Sequence, residues 1–107
     1  MRQPNWKKWE VVLLVNMYFS LEGHPERVRT ACEDLSAQLR RSNLDLALQS
    51  PSYRNVEGIR MKYQNIRHIV EGKGLADHSR LGEEIVRLYF EDRDSFDAEV
   101  KRILECK

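Results

Sequence analysis

Cysteine is scarce in this chain of 107 residues: there are two, Cys32 and Cys106. Two thiols without metal-ligand spacing make no disulfide framework, and a reduced, cytosolic protein is the simpler reading. Histidine is equally thin. His24, His68 and His78 are scattered, with no Asp, Glu or Cys neighbours at a metal spacing. Long apolar runs are missing too. Val11–Val15 is too short for a signal-peptide core or a membrane span, and the N-terminus is polar through Lys8. Neither sign of charge dominates: the formal net charge is +1, so any nucleic-acid affinity must come from a local patch. A phosphate-cradling loop is absent, because "EGKGLAD" does not follow an apolar strand. Cys32 falls on an apolar helix face with no base beside it to make it a nucleophile. These gaps predict a soluble, intracellular, cytoplasmic protein with no cofactor, no metal and no catalytic constellation of its own.

What is present is helical periodicity. The length suits one compact domain, covering residues 1–107, and few segments alternate at period two while many repeat at three or four. An all-α fold of about five helices follows. The first helix is expected from Trp6 to Leu21, capped by Asn5 and ended by Gly23, with Trp9, Leu13, Met17 and Ser20 on one stripe. Val11, Leu14, Val15 and Tyr18 widen that stripe, so this helix is central. The second starts at Pro25 and runs to about Arg40, burying Val28, Cys32, Leu35 and Leu39. In "RSNLDLALQSPS", Leu44, Leu46 and Leu48 alternate, which reads as a short extended piece or an irregular loop. The third helix spans about Asn55 to Val70, with Val56, Ile59, Tyr63, Ile66 and Val70 on the buried side. A fourth, Arg80–Glu91, buries Leu81, Ile85, Leu88 and Tyr89. A fifth, Ser95–Glu105, is capped by Asp94 and buries Phe96, Val100, Ile103 and Leu104.

The third helix carries the candidate site. With Tyr63 at the centre of the buried side, Arg54, Glu57, Gly58, Met61, Lys62, Asn65 and His68 point outward or sideways. A glycine inside a helix costs about 1 kcal/mol against alanine. That cost is tolerated where a side chain would obstruct a close approach, such as that of a phosphate backbone or a neighbouring helix. The charge is also polarised. Residues 54–73 hold five cations and two acids, a balance of +3, and residues 83–99 hold two cations and seven acids, a balance of −5. One surface can therefore approach DNA while the other faces away. A charged helix face that is merely solvated is the competing explanation.

"NWKKWEVVLLVNMY" followed by "RNVEGIRMKYQNI" resembles the Myb/SANT-like helix-turn-helix layout. There an N-terminal helix holds the core and the third helix enters the major groove; the insert here is longer. A closer resemblance covers most of the chain. It is to the N-terminal helical domain that precedes the nuclease in bacterial HNH-type restriction endonucleases. The shared elements are Trp9, Leu13, Leu14 and Tyr18; then Ser50, Tyr53, Arg54, Asn55, Gly58 and Ile59; then Lys62, Asn65 and Arg67. Gly74-Leu75 and an acidic closing pair of helices follow. The resemblance implies a DNA-targeting role in restriction and antiviral defence, with double-stranded DNA as partner and a nuclease domain or subunit as effector. No HNH nuclease follows in this chain, so the family's cleavage activity is not carried over.

The DNA-binding set expected from these readings is Arg54, Asn55, Gly58, Met61, Lys62, Asn65, Arg67 and Lys73. Arg54, Lys62 and Asn65 are the expected groove contacts, since Arg can bind guanine and Asn adenine bidentately. Asn55 fits a helix cap better than a base reader. The alternative function is a protein-interaction module that binds no DNA. It would dock the same helix onto a partner through the outward Met61.

Overall fold

The computed structural model describes residues 5–72 and 80–105, and all regular structure among them is helical. The order is α1 Lys8–Ser20, a 3-10 turn Pro25–Arg27, α2 Val28–Ser42, α3 Leu44–Gln49, α4 Val56–Glu71, α5 Arg80–Glu91 and α6 Arg93–Glu105. Lys73, Gly74, Leu75, Asp77, His78 and Cys106 lie outside the described residues.

Helix α1 is the axis of the fold. Every residue from Glu10 to Val15 is buried, as are Met17 and Tyr18. A helix that is apolar all round must be surrounded, and α2, α4, α5 and α6 all pack on it. One core results, in which Leu14, Val12, Val15, Cys32, Leu39, Ile59 and Phe96 are the most deeply enclosed apolar side chains. Burial pushes the Cys32 thiol upward and away from the reactive thiolate. The two glycines that break the path both have positive φ: Gly23 (79°) after α1 and Gly72 (75°) at the end of α4. Only glycine adopts that conformation freely.

Several expectations need correction. The Leu44–Leu48 stretch is neither extended nor irregular. Asn43 caps it, its side chain accepting from the Leu46 N–H at 3.3 Å, and six residues close into a helix. Helix α1 starts at Lys8, not Trp6, and Asn5 does not cap it. Its first turn is closed by Glu10, which accepts from the Lys7 N–H at 2.8 Å. Helix α6 is capped by Asp92 and not by Asp94: Asp92 accepts from the Ser95 N–H at 3.2 Å and the Ser95 hydroxyl at 2.7 Å. On α4 the buried centre is Ile59 and Ile66, with Tyr63 half-buried beside them against Tyr18. Leu104 is not buried but 51% exposed.

Candidate nucleic-acid interface

The segment Ser50–Asn55 decides what α4 can present. Pro51 follows α3, and four turn residues lead into α4. Their carbonyls need donors, and Arg40 from α2 supplies several. Its guanidinium donates to the carbonyls of Ala47 (2.9 Å), Pro51 (3.1 Å) and Tyr53 (2.5 Å). Ser36, also on α2, donates to the Arg54 carbonyl at 2.6 Å. The turn is thereby fixed to α2 by side chains.

Arg54 then turns inward. It is the one described non-glycine residue with positive φ (47°), and it is 5% exposed. Its Nε donates to Glu10 Oε2 at 2.9 Å and its second guanidinium nitrogen to Glu10 Oε1 at 3.1 Å. The same nitrogen donates to the Asn5 carbonyl at 3.1 Å. The guanidinium also lies 4.8 Å from the Trp6 ring and 4.9 Å from the Tyr53 ring. Glu10 itself is 1% exposed. This is a bidentate, desolvated ion pair between the first turn of α1 and the approach to α4. The expectation that Arg54 points outward is therefore corrected: its charge is paired with buried Glu10 inside the fold.

Asn55 is also engaged. It caps α4, its Oδ1 accepting from the Gly58 N–H at 2.8 Å. Gly58 has ordinary helical φ, and a Cβ there would sit 3.0 Å from that same oxygen. The missing side chain thus gives room to the cap, an explanation that needs no phosphate. Of the remaining set, Met61 is the most open at 59% exposure. Lys62, Asn65 and Arg67 are half-buried along the flanks. Lys62 reaches 5.9 Å from the Trp6 ring, on the same indole as Arg54. Arg67 pairs with Glu71 at 3.7 Å, and exposed Arg60 with Glu57 at 3.4 Å. Lys73 lies outside the described residues.

The structure thus brings Met61, Lys62, Asn65 and Arg67 onto one helix and withdraws Arg54 and Asn55 into its support. Behind that helix, the Tyr18 hydroxyl donates to Glu71. Burial and this acceptor raise the Tyr18 phenol well above its ordinary value, and burial raises Tyr63 and Tyr53 likewise. Sequence reasoning missed Glu10, Ser36 and Arg40 as supporting residues. Glu10 had a signal: a lone acid inside "KWEVVLLV" must either break the apolar face or find a buried cation. Among the described residues, no group of three His, Cys, Asp or Glu side chains is placed to hold a metal ion, and no helix is long and apolar enough to cross a membrane. Comparison with family models, with curated proteins and with solved structures gives no match.

Proposed function

We propose that the chain is a DNA-binding module that targets a restriction or defence effector in the cytoplasm, with the solvent side of α4 laid against duplex DNA. The observation that carries the reading is the α4 face itself. Arg60, Lys62, Gln64, Asn65 and Arg67 surround exposed Met61, while α1, α2 and α5 hold the helix from behind. Sixteen residues make a rod of about 24 Å, and the major groove admits an α-helix. Lys62 and Asn65 are the base-edge candidates. Arg60 and Arg67 would exchange their exposed carboxylate partners for phosphates, since such surface pairs are worth only about 0–1 kcal/mol. The link to restriction rests on the resemblance carried by Ser50 to Arg67. The module itself performs no chemistry in this reading, and an effector nuclease would supply the cleavage.

Duplex binding by fluorescence anisotropy tests this. Two phosphate contacts from Arg60 and Arg67 predict a log–log salt slope of about −2. Lys62→Ala and Asn65→Ala should weaken binding with the melting temperature unchanged. Absence of duplex binding at low salt, or binding indifferent to salt, refutes the reading. A second reading has its own observation. Leu44 and Leu48, four apart on α3, are 60% and 83% exposed, and Met61 is open as well. Exposed apolar residues at helical spacing suit a protein-interaction module. Salt-indifferent capture of a helical partner by α3 or α4 would favour it.

A further inference from the structure

Away from α4, a groove of about 850 Å³ opens between the start of α1, the end of α2 and the last turns of α6. Its floor is apolar: Trp9, the enclosed Val12 and Ile103 line it. Arg41 stands on the α2 wall and Glu99 on the α6 wall. Leu104 lines the same groove yet remains 51% exposed. Hole and knob are therefore side by side on one surface, and so are a cation and an acid. Glu99 accepts from Arg102 in its own chain at 2.5 Å, and its side chain is still 29% exposed, which leaves room for a second cation.

A patch that holds both a hole and a knob, and both signs of charge, is self-complementary. Self-complementarity is what a twofold interface requires, because each residue meets its partner twice. We infer that this surface joins two copies of the chain about a twofold axis, Leu104 of each entering the other's groove and Glu99 of each facing the other's Arg41. Helices α4 and α6 do not touch. The groove takes no lining residue from α4, so the inference does not depend on what α4 binds.

Light scattering coupled to size exclusion, run from low to high micromolar protein, tests the proposal. The mass should rise from one chain to two and stop there. Leu104→Asp should weaken the dimer by about tenfold or more, since one buried Leu contributes more than a decade of affinity. Its melting temperature should hold, because Leu104 is already half exposed in the single chain. Arg41→Glu and Glu99→Lys should each weaken the dimer, and an equimolar mixture of the two should restore it. Glu99→Lys also places a cation beside Arg102, so if its melt shows a loosened α6, Leu104→Asp alone decides. A single chain at every concentration overturns the inference. So does a species that grows beyond two, or an intact Leu104→Asp dimer. A monomer whose binding of 8-anilinonaphthalene-1-sulfonate is abolished by Leu104→Asp would overturn it too, and assign the groove to an amphiphilic anion.

Discussion

Arg54→Ala should cost stability and not merely binding. The substitution removes both hydrogen bonds to Glu10 and leaves that carboxylate 1% exposed without its cation. Breaking a buried pair from one side costs about 3–5 kcal/mol. The contacts over Trp6 and Tyr53 add about 1 kcal/mol. The Asn5 carbonyl loses a donor as well. A domain of this size holds about 5–15 kcal/mol in total, so the variant should sit near the edge of folding. Urea titrations should show the midpoint falling with little change in slope. Replacing both members, as Glu10→Leu with Arg54→Met, should recover much of the loss, because a buried pair exchanged for apolar side chains is often neutral. The resulting coupling in the double-mutant cycle should be at least about 2 kcal/mol. Arg54 also has φ of 47°. Arg54→Gly should therefore be less damaging than Arg54→Ala by about 1 kcal/mol, since only glycine takes that conformation without strain. A loss below about 1 kcal/mol for Arg54→Ala, or a coupling near zero, would refute the structural role. Lowered DNA affinity with intact stability would return Arg54 to the groove.

Three further outcomes are expected. Tyr18, Tyr53 and Tyr63 all have phenols raised above the ordinary value of 10.0. Above that pH the folded chain holds more protons than the unfolded one, so stability should fall as pH rises past about 10, and Tyr18→Phe should flatten the decline in alkaline denaturation. Asn55→Ala should cost about 1 kcal/mol as a lost cap; Gly58→Ala should be near neutral in the natural chain but stabilising by up to about 1 kcal/mol once Asn55 is Ala, because the 3.0 Å conflict is then gone. Asp92→Ala should lower the melting temperature while Asp94→Ala leaves it alone, since Asp92 binds both the N–H and the hydroxyl of Ser95; hydrogen bonds from Ser95 hold its carboxyl below the usual range, so this support should fade as pH falls through the acid range.

The helical class was legible because burial is periodic. Val11–Val15 marks the axis, Cys32, Leu35 and Leu39 the inner side of α2, and Ile59 with Ile66 that of α4. Helix α5 ends at Glu91, where its apolar spacing places it. Helix α3 was misread for a physical reason. Leu44, Leu46 and Leu48 alternate as a half-buried strand would, yet Leu44 and Leu48 are exposed, so the alternation recorded no burial. The local cue that mattered was Asn43, a good cap that starts a helix regardless of the pattern after it. Likewise Asp92 and Asp94 are equally good caps by residue type. Only the position of Ser95 relative to the chain reversal after α5 selects between them.

The site was less legible because formal charge in a sequence carries no address. Five cations lie from Arg54 to Lys73 in the sequence, and the four among the described residues are not equivalent in the fold. Arg54 is neutralised inside by Glu10. Arg60 and Arg67 lean on carboxylates of their own helix, pairs weak enough for a phosphate to replace. Lys62, half-buried on a flank of α4, lies against the Trp6 ring that Arg54 also touches. The segment Ser50–Gly58 therefore changes meaning. Its Tyr-Arg-Asn run resembles a DNA-reading motif, but its side chains are occupied in building the approach to α4: Arg54 ties it to α1, Asn55 starts the helix, and Gly58 makes space for the cap. A motif of this kind fixes where α4 points without touching what α4 meets. Substitutions there should act on DNA binding only through loss of the fold. Those at Lys62 and Asn65 should act on binding with the fold intact. Melting and anisotropy measured together on Arg54→Ala and Lys62→Ala separate the two. Equal loss of stability in both variants would mean that α4 has no functional face distinct from its support.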